Sequence, residues 1–300
     1  LLLFDGGPNT LTTNGIETVL GNGQADTIVV AAAMAQGHFN LGGGSDTLSL
    51  ADGGNTLTVL GMESVVGGAG NDVIIMADAH TQGVWNLGGG SDSLFLLTAS
   101  DLTLSLANVE TLHGNGANDT ITLLNNLTGF VNLGGGNDSI VLNDSGANVL
   151  TLSGLETVNG NTQADALVLI TAQTTGHYNL GAGADQLILA DAANTLTLGN
   201  IETIHGAATS SDILILSNSQ SAAIYNLGGG SDSLTLSSVG TNTVTLNGVE
   251  TLVGTTAMET IVLTGAQTTG IYDLAAGVTD TLALADAANT LTVANIETIH

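Results

Sequence analysis

The chain has 300 residues, with 27 Asp and Glu, no Lys or Arg, and a formal net charge of -27. A protein without cationic side chains lacks the usual means of holding phosphates or anionic membrane surfaces, so nucleic acid and acidic membranes are excluded as default partners. The absence of Cys excludes a disulfide framework and thiolate metal sites, and a hydrophobic content of 43% separates the chain from charged, disordered sequences.

In chain order, Leu1–Asp5 aligns with Leu48–Asp52, the middle of a repeating unit. Thr10-Leu11-Thr12 opens an apolar-polar alternation. Ile16-Glu17-Thr18-Val19 is the first copy of an apolar-Glu-Thr/Ser-apolar motif, whose Glu returns at 63, 110, 156, 202, 250 and 297. A Gly-rich turn closes at Asp26, with counterparts closing at Asp72, Asp119, Asp165, Asp212 and Glu259. Leu41-Gly42-Gly43-Gly44-Ser45-Asp46 follows, and its Leu recurs at 87, 133, 180, 227 and 274, in steps of 46, 46, 47, 47 and 47. A polar turn at Asp52 then leads into Thr56-Leu57-Thr58-Val59. One array of about 6.5 repeats spans residues 1–300. Its ends match mid-unit positions and carry no polar cap, so the sequence reads as a window cut from a longer protein.

The runs between turns are short and strictly alternating, as in Thr47-Leu48-Ser49-Leu50 and Thr195-Leu196-Thr197-Leu198, which is the period of a strand buried on one face. No stretch keeps a helical period. The fold class predicted is all-β, a parallel β-solenoid resembling a β-roll or β-helix, in which each strand pairs with its counterpart one coil away. The spacings from Asp46 to Asp72 and from Asp72 to Asp92 suggest about 13 coils of alternating ~20 and ~26 residues; one wide ~46-residue coil per repeat is the alternative.

The turns carry the chemistry. Twenty-five of the 27 acids fall into four periodic columns, and stacking like on like at about 4.8 Å is repulsive. With no base in the chain, neutralisation must come from outside it. Gly residues permit positive φ and inward carbonyls, and a terminal Asp adds a hard anionic oxygen suited to Ca²⁺. The expected ligand positions are Gly68, Gly70 and Asp72; Gly42, Gly44 and Asp46; Gly88, Gly90 and Asp92; Gly134, Gly136 and Asp138; Gly228, Gly230 and Asp232; and Asp26, Asp119, Asp165 and Asp185. The plainer reading is that these turns are good corners whose Asp side chains bond backbone N–H groups.

Gly67-Gly68-Ala69-Gly70-Asn71-Asp72-Val73-Ile74-Ile75 satisfies the G-G-x-G-x-D-x-apolar-x nonapeptide at every position. On this motif the chain resembles the RTX, or hemolysin-type calcium-binding, repeat family of long extracellular bacterial arrays. The other turns depart from the pattern: the turns at Asp46 and Asp92 lack its first Gly. The resemblance implies Ca²⁺ as cofactor, type I secretion and a location outside the cell or on its surface.

Other features have weaker functional readings. Thr10/Thr12, Thr56/Thr58, Thr195/Thr197, Thr243/Thr245 and Thr290/Thr292 would stack into a double file that could bind ice, or are simply good outward strand residues. Phe39, Trp85, Tyr178, Tyr225 and Tyr272 form either a glycan-binding stripe or a core ladder. The Glu motif is a second ion site, a contact between copies of the chain, or a solvated outward column. Since acids repeat and no Ser/His/Asp or Cys/His set stands apart, no enzyme activity is expected. The sequence therefore points to a structural, calcium-stabilised extracellular segment of a filament, matrix fibre, surface layer or adhesin stalk, able to assemble with copies of itself. The alternatives are a binding module for ice or glycan, and an accessory region of a secreted enzyme.

Overall fold

A computed structural model describes residues 1–79, 82–276 and 279–300. Among these residues every regular element is a β-strand and there is no helix. The chain divides into two compact units, residues 1–146 with 153–155, and residues 147–152 with 156–300. In each unit, successive strands alternate between two sheets: odd-numbered strands join one and even-numbered strands the other, all parallel. Each coil thus contributes one strand to each sheet, which defines a β-solenoid.

The register sets the coil length. In the first unit Thr10 pairs with Thr27, Thr27 with Thr47 and Thr47 with Ser64, steps of 17, 20 and 17 residues. Elsewhere the step reaches 21, as from Gly83 to Leu104 and from Ala223 to Val244. These are neither alternating 20- and 26-residue coils nor one 46-residue coil. The sequence reading took only the two Asp-terminated turns as coil ends, whereas the Glu motif and the Asn of the polar turn also make corners.

The strand homologous to Gly37–Gly42 returns as Gly83–Asn86 and Thr128–Gly134 in the first unit, and as Gly176–Gly181, Ala223–Asn226 and Gly270–Asp273 in the second, each copy five strands after the last. Five strands distributed over two sheets make two and a half coils, so successive copies lie in opposite sheets. The Thr pairs are split in the same way. Thr10 and Thr12 belong to an odd-numbered strand, whereas Thr56 and Thr58 belong to an even-numbered one. The predicted double file therefore does not form; Thr10 instead lines up with Thr27, Thr47, Ser64 and Val84.

Strand alternation places one apolar set inside. Val19, Ile28, Leu48, Leu57, Ile74 and Leu94 are fully buried. Phe39, Trp85, Tyr178, Tyr225 and Tyr272 are at most 1% exposed, so they offer no surface for a glycan. Lying in alternate sheets, they fill separate lumen positions and do not stack into the expected ladder; Phe39 pairs with Val19 and Val59, and Trp85 with Val65 and Leu106. Burial raises the phenols of Tyr178 and Tyr225 well above their usual range, with Glu156 and Glu202 adding to the effect. The Tyr225 hydroxyl donates to the Ile201 carbonyl at 2.9 Å, as a buried phenol requires.

One turn has a strict conformational need. Two residues before each motif Glu, the backbone is left-handed: φ is 65° at Gly15 and Gly61, 56° at Gly154 and 63° at Gly248, and 53°, 52° and 54° at Asn108, Asn200 and Asn295. Only Gly and Asn occupy this position, the residues that visit this region at least cost.

Candidate functional site: the corner carboxylate columns

At each corner one side chain turns inward and accepts the backbone N–H of the corresponding residue one coil earlier. Asn55 N–H donates to Asp72 Oδ1 at 2.8 Å, Asp72 N–H to Asp92 Oδ1 at 2.7 Å, and Asp92 N–H to Glu110 Oε2 at 2.7 Å. The run repeats from Asn9 to Asp26, Asp46 and Glu63 at 2.8, 2.6 and 2.6 Å. It repeats again through Leu102, Asp119 and Asp138 at 3.0 and 2.7 Å. In the second unit it links Asn148, Asp165, Asp185 and Glu202 at 2.7, 2.7 and 2.9 Å, and Asn194, Asp212, Asp232 and Glu250 at 2.9, 2.7 and 2.8 Å. Glu259, Asp280 and Glu297 continue the pattern, both bonds at 2.7 Å.

All nine Asp residues expected as ligands are thus corner residues, and each is at most 1% exposed. A tight corner cannot give its N–H to a strand neighbour, and the carboxylate of the next coil supplies the acceptor. The motif Glu joins the same column through Oε2, so it is not the free, solvated position weighed from the sequence. The Asn that opens the run was missed; its signal was present in the recurring Asn-Thr-Leu-Thr, 17 residues before the Asp in Asn55 to Asp72.

The second carboxylate oxygen divides the columns. Asn22, Asn115 and Asn161 donate Nδ2 to Oδ2 of Asp26, Asp119 and Asp165 at 3.3, 3.1 and 3.1 Å, and Ser210 Oγ donates to Asp212 Oδ2 at 3.4 Å. Gly68 occupies the corresponding place before Asp72. The Oδ2 atoms of Asp72, Asp92, Asp185, Asp232 and Asp280, and Oε2 of Glu259, are buried without a hydrogen-bond partner. Burial pushes Asp92 up to about 6, Asp185 up to about 7 and Asp232 up to about 6. The N–H groups of Asp72, Asp165 and Asp212 act against that rise, and the flanking carboxylates add to it. Asp119 and Glu259 are also raised, chiefly by burial.

The glycines serve coil stacking. Gly42, Gly88, Gly134 and Gly228 have φ between 88° and 96°, and Gly44, Gly90, Gly136 and Gly230 between 132° and 144°. A Cβ on Gly88 would lie 2.0 Å from the Gly68 carbonyl oxygen, and one on Gly68 would lie 2.3 Å from that of Ala51. Gly70 is as tight, with a Cβ 2.3 Å from the Gly53 carbonyl carbon. The Gly68 carbonyl accepts the N–H of Gly89 at 2.8 Å.

Among the described residues no group of three or more His, Cys, Asp or Glu side chains is arranged to hold a metal ion. For calcium, the buried unbonded oxygens of Asp72 and Asp92, one coil apart, fit in donor type and in charge. Two such oxygens are fewer than the 6–8 ligands that Ca²⁺ takes.

Fold and columns together define a repeat protein of the β-solenoid class, with carboxylate-capped corners. Comparison with known proteins finds no match, whether among family models, curated sequences or solved structures.

Proposed function

We propose that the chain is a structural, non-enzymatic segment of an extracellular bacterial filament, matrix fibre, surface layer or adhesin stalk, with calcium offsetting part of its corner charge. The observation that carries this reading is the stacking of buried carboxylates in a chain without a single Lys or Arg. An uncompensated buried charge is costly, and an external cation lowers that cost. The acids recur in every repeat, as a load-bearing array needs and a single active centre does not. Calcium is best supported at Asp72 and Asp92, where the complete nonapeptide turn stacks on Leu87–Asp92 and the Oδ2 atoms of both residues stay unbonded.

Folding coupled to calcium suits a chain that must remain extended until it reaches a calcium-rich exterior. Urea unfolding followed by circular dichroism, at neutral pH and low salt, tests the cation. Millimolar Ca²⁺ raises the midpoint, and the Asp72→Asn/Asp92→Asn variant loses most of that response. Identical midpoints in Ca²⁺ and in excess EGTA defeat the calcium reading.

A further inference from the structure

The third repeat departs from the others at one place. The lumen position that Phe39, Trp85, Tyr178, Tyr225 and Tyr272 fill carries Val131, and the ring stands one residue earlier, at Phe130. Strand alternation turns Val131 inward and leaves Phe130 half-buried on the outer face. An apolar cavity lined by Leu106, Leu112, Leu123, Leu127 and Val131 remains inside. Outside, Phe130 meets two rings from preceding coils of the same sheet. Phe95, in Ser93–Leu96, lies where Ser49, Val141, Ile188, Thr235 and Ala283 stand in the other repeats. It pairs with His113, in Thr111–Asn115. The two rings stack at 4.7 Å with their planes 8° apart, and His113 lies 5.5 Å from Phe130. Ile75 pairs with Phe95 on its other side. Two of the four Phe in the chain therefore meet in one outer patch.

The sheet around the patch is uncharged. Its strands in the first unit, from Thr18–Asn22 to Thr128–Gly134, contain no Asp or Glu, in a chain of net charge -27. Two copies repel wherever their acids face each other, so an uncharged sheet is a side on which they can approach. With strands about 4.8 Å apart and four or five residues of about 3.3 Å along each, this sheet presents about 500 Å² per copy. A pair then covers about 1,000 Å², the lower bound for a specific contact. The rings favour a protein over a sugar. Phe95 and His113 each cover a face of the other, which leaves edges rather than free ring faces for a ligand, and an aromatic centre without charge is the make-up of a protein interface core. We propose that this outer sheet, centred on Phe95, His113 and Phe130, is a self-association surface that pairs with the same sheet of a second copy of the chain. The proposal rests on the reading of the chain as an assembling structural segment, and names the face through which it assembles. Pairing like with like about a two-fold axis sets the patch of one copy on that of its partner.

The test is sedimentation equilibrium of the whole chain in excess EGTA, from micromolar to millimolar concentration, at low and at high NaCl. The parent forms dimers with a micromolar dissociation constant, and salt tightens them by screening the acids outside the patch. Phe130→Val/Val131→Phe restores the order of the other repeats. It returns the ring to the lumen, where Gly129 precedes it by two residues as Gly37 and Gly83 precede Phe39 and Trp85. This exchange variant fills the cavity, so its urea midpoint is at least that of the parent. It and Phe95→Ser, which takes the residue type of Ser49, weaken dimerisation about tenfold or more while keeping the parent's circular dichroism. A parent that stays monomeric to millimolar concentration, or dimers that dissociate as salt rises, overturn the proposal. Equal dissociation constants in parent and variants overturn its assignment to these rings. Retention of a monomeric parent on an immobilised neutral β-glucan, lost in both variants, gives the patch to a sugar and overturns it as well. With calcium chelated and association as the readout, failure here leaves the structural reading, tested by its calcium-dependent unfolding midpoint, untouched.

Discussion

Adjacent glycines in one turn separate backbone necessity from mere smallness. Gly88, Gly89 and Gly90 lie side by side, but only the outer two have left-handed φ, 91° and 140°. Alanine at 88 places its Cβ 2.0 Å from the Gly68 carbonyl oxygen, more than 1 Å inside van der Waals contact. Relieving that overlap pushes two coils apart and breaks the 2.8 Å bond from Gly89 N–H to the same oxygen. The left-handed residue, the overpacking and the lost bond together cost about 3 to 5 kcal/mol. Alanine at 89 meets nothing nearer than the Ala69 Cα at 3.9 Å, and Ala182 already stands at this position between Gly181 and Gly183. Gly89→Ala should change stability by less than about 0.5 kcal/mol. Urea titration of the two single variants by circular dichroism measures the difference. Gly88→Ala should lower the midpoint by about 1 M or more, given the usual urea slopes. Equal midpoints for Gly88→Ala and Gly89→Ala would refute the reasoning.

Two further outcomes are expected from the same assay. Trp85→Ala empties a lumen position that is 1% exposed and should cost about 3 to 5 kcal/mol. Trp85→Phe should cost under about 1.5 kcal/mol, because the Trp85 Nε1–H is buried without a partner and Phe39 fills the equivalent position one repeat earlier. Asn108 has φ 53°; Asn108→Ala should lose about 1 to 2 kcal/mol, while Asn108→Gly stays within about 1 kcal/mol of the parent.

The sequence by itself determined the class of fold. A period of 46–47 residues, alternation at a period of two and turns rich in Gly, Asn and Asp leave a parallel solenoid as the arrangement that buries one apolar face of each strand. It also placed Leu48, Ile74 and Leu94 in the core, because side-chain direction along a strand is a local property. The count of coils was not local. Asp72, Asp92 and Glu110 look like three unrelated motifs in the sequence, and only the pairing of coils reveals them as successive members of one column. Register is a long-range property set by how corners stack, so the half-integral repeat, and with it the splitting of the Thr pairs between two sheets, was decided by the tertiary structure. The same holds for the direction of the carboxylates. An Asp after a Gly-rich turn can face solvent, an ion or the next coil; the unpaired N–H of the preceding coil draws it inward, and a polar side chain just before it in the turn, Asn161 before Asp165 or Ser210 before Asp212, bonds its second oxygen, which Gly68 before Asp72 does not do.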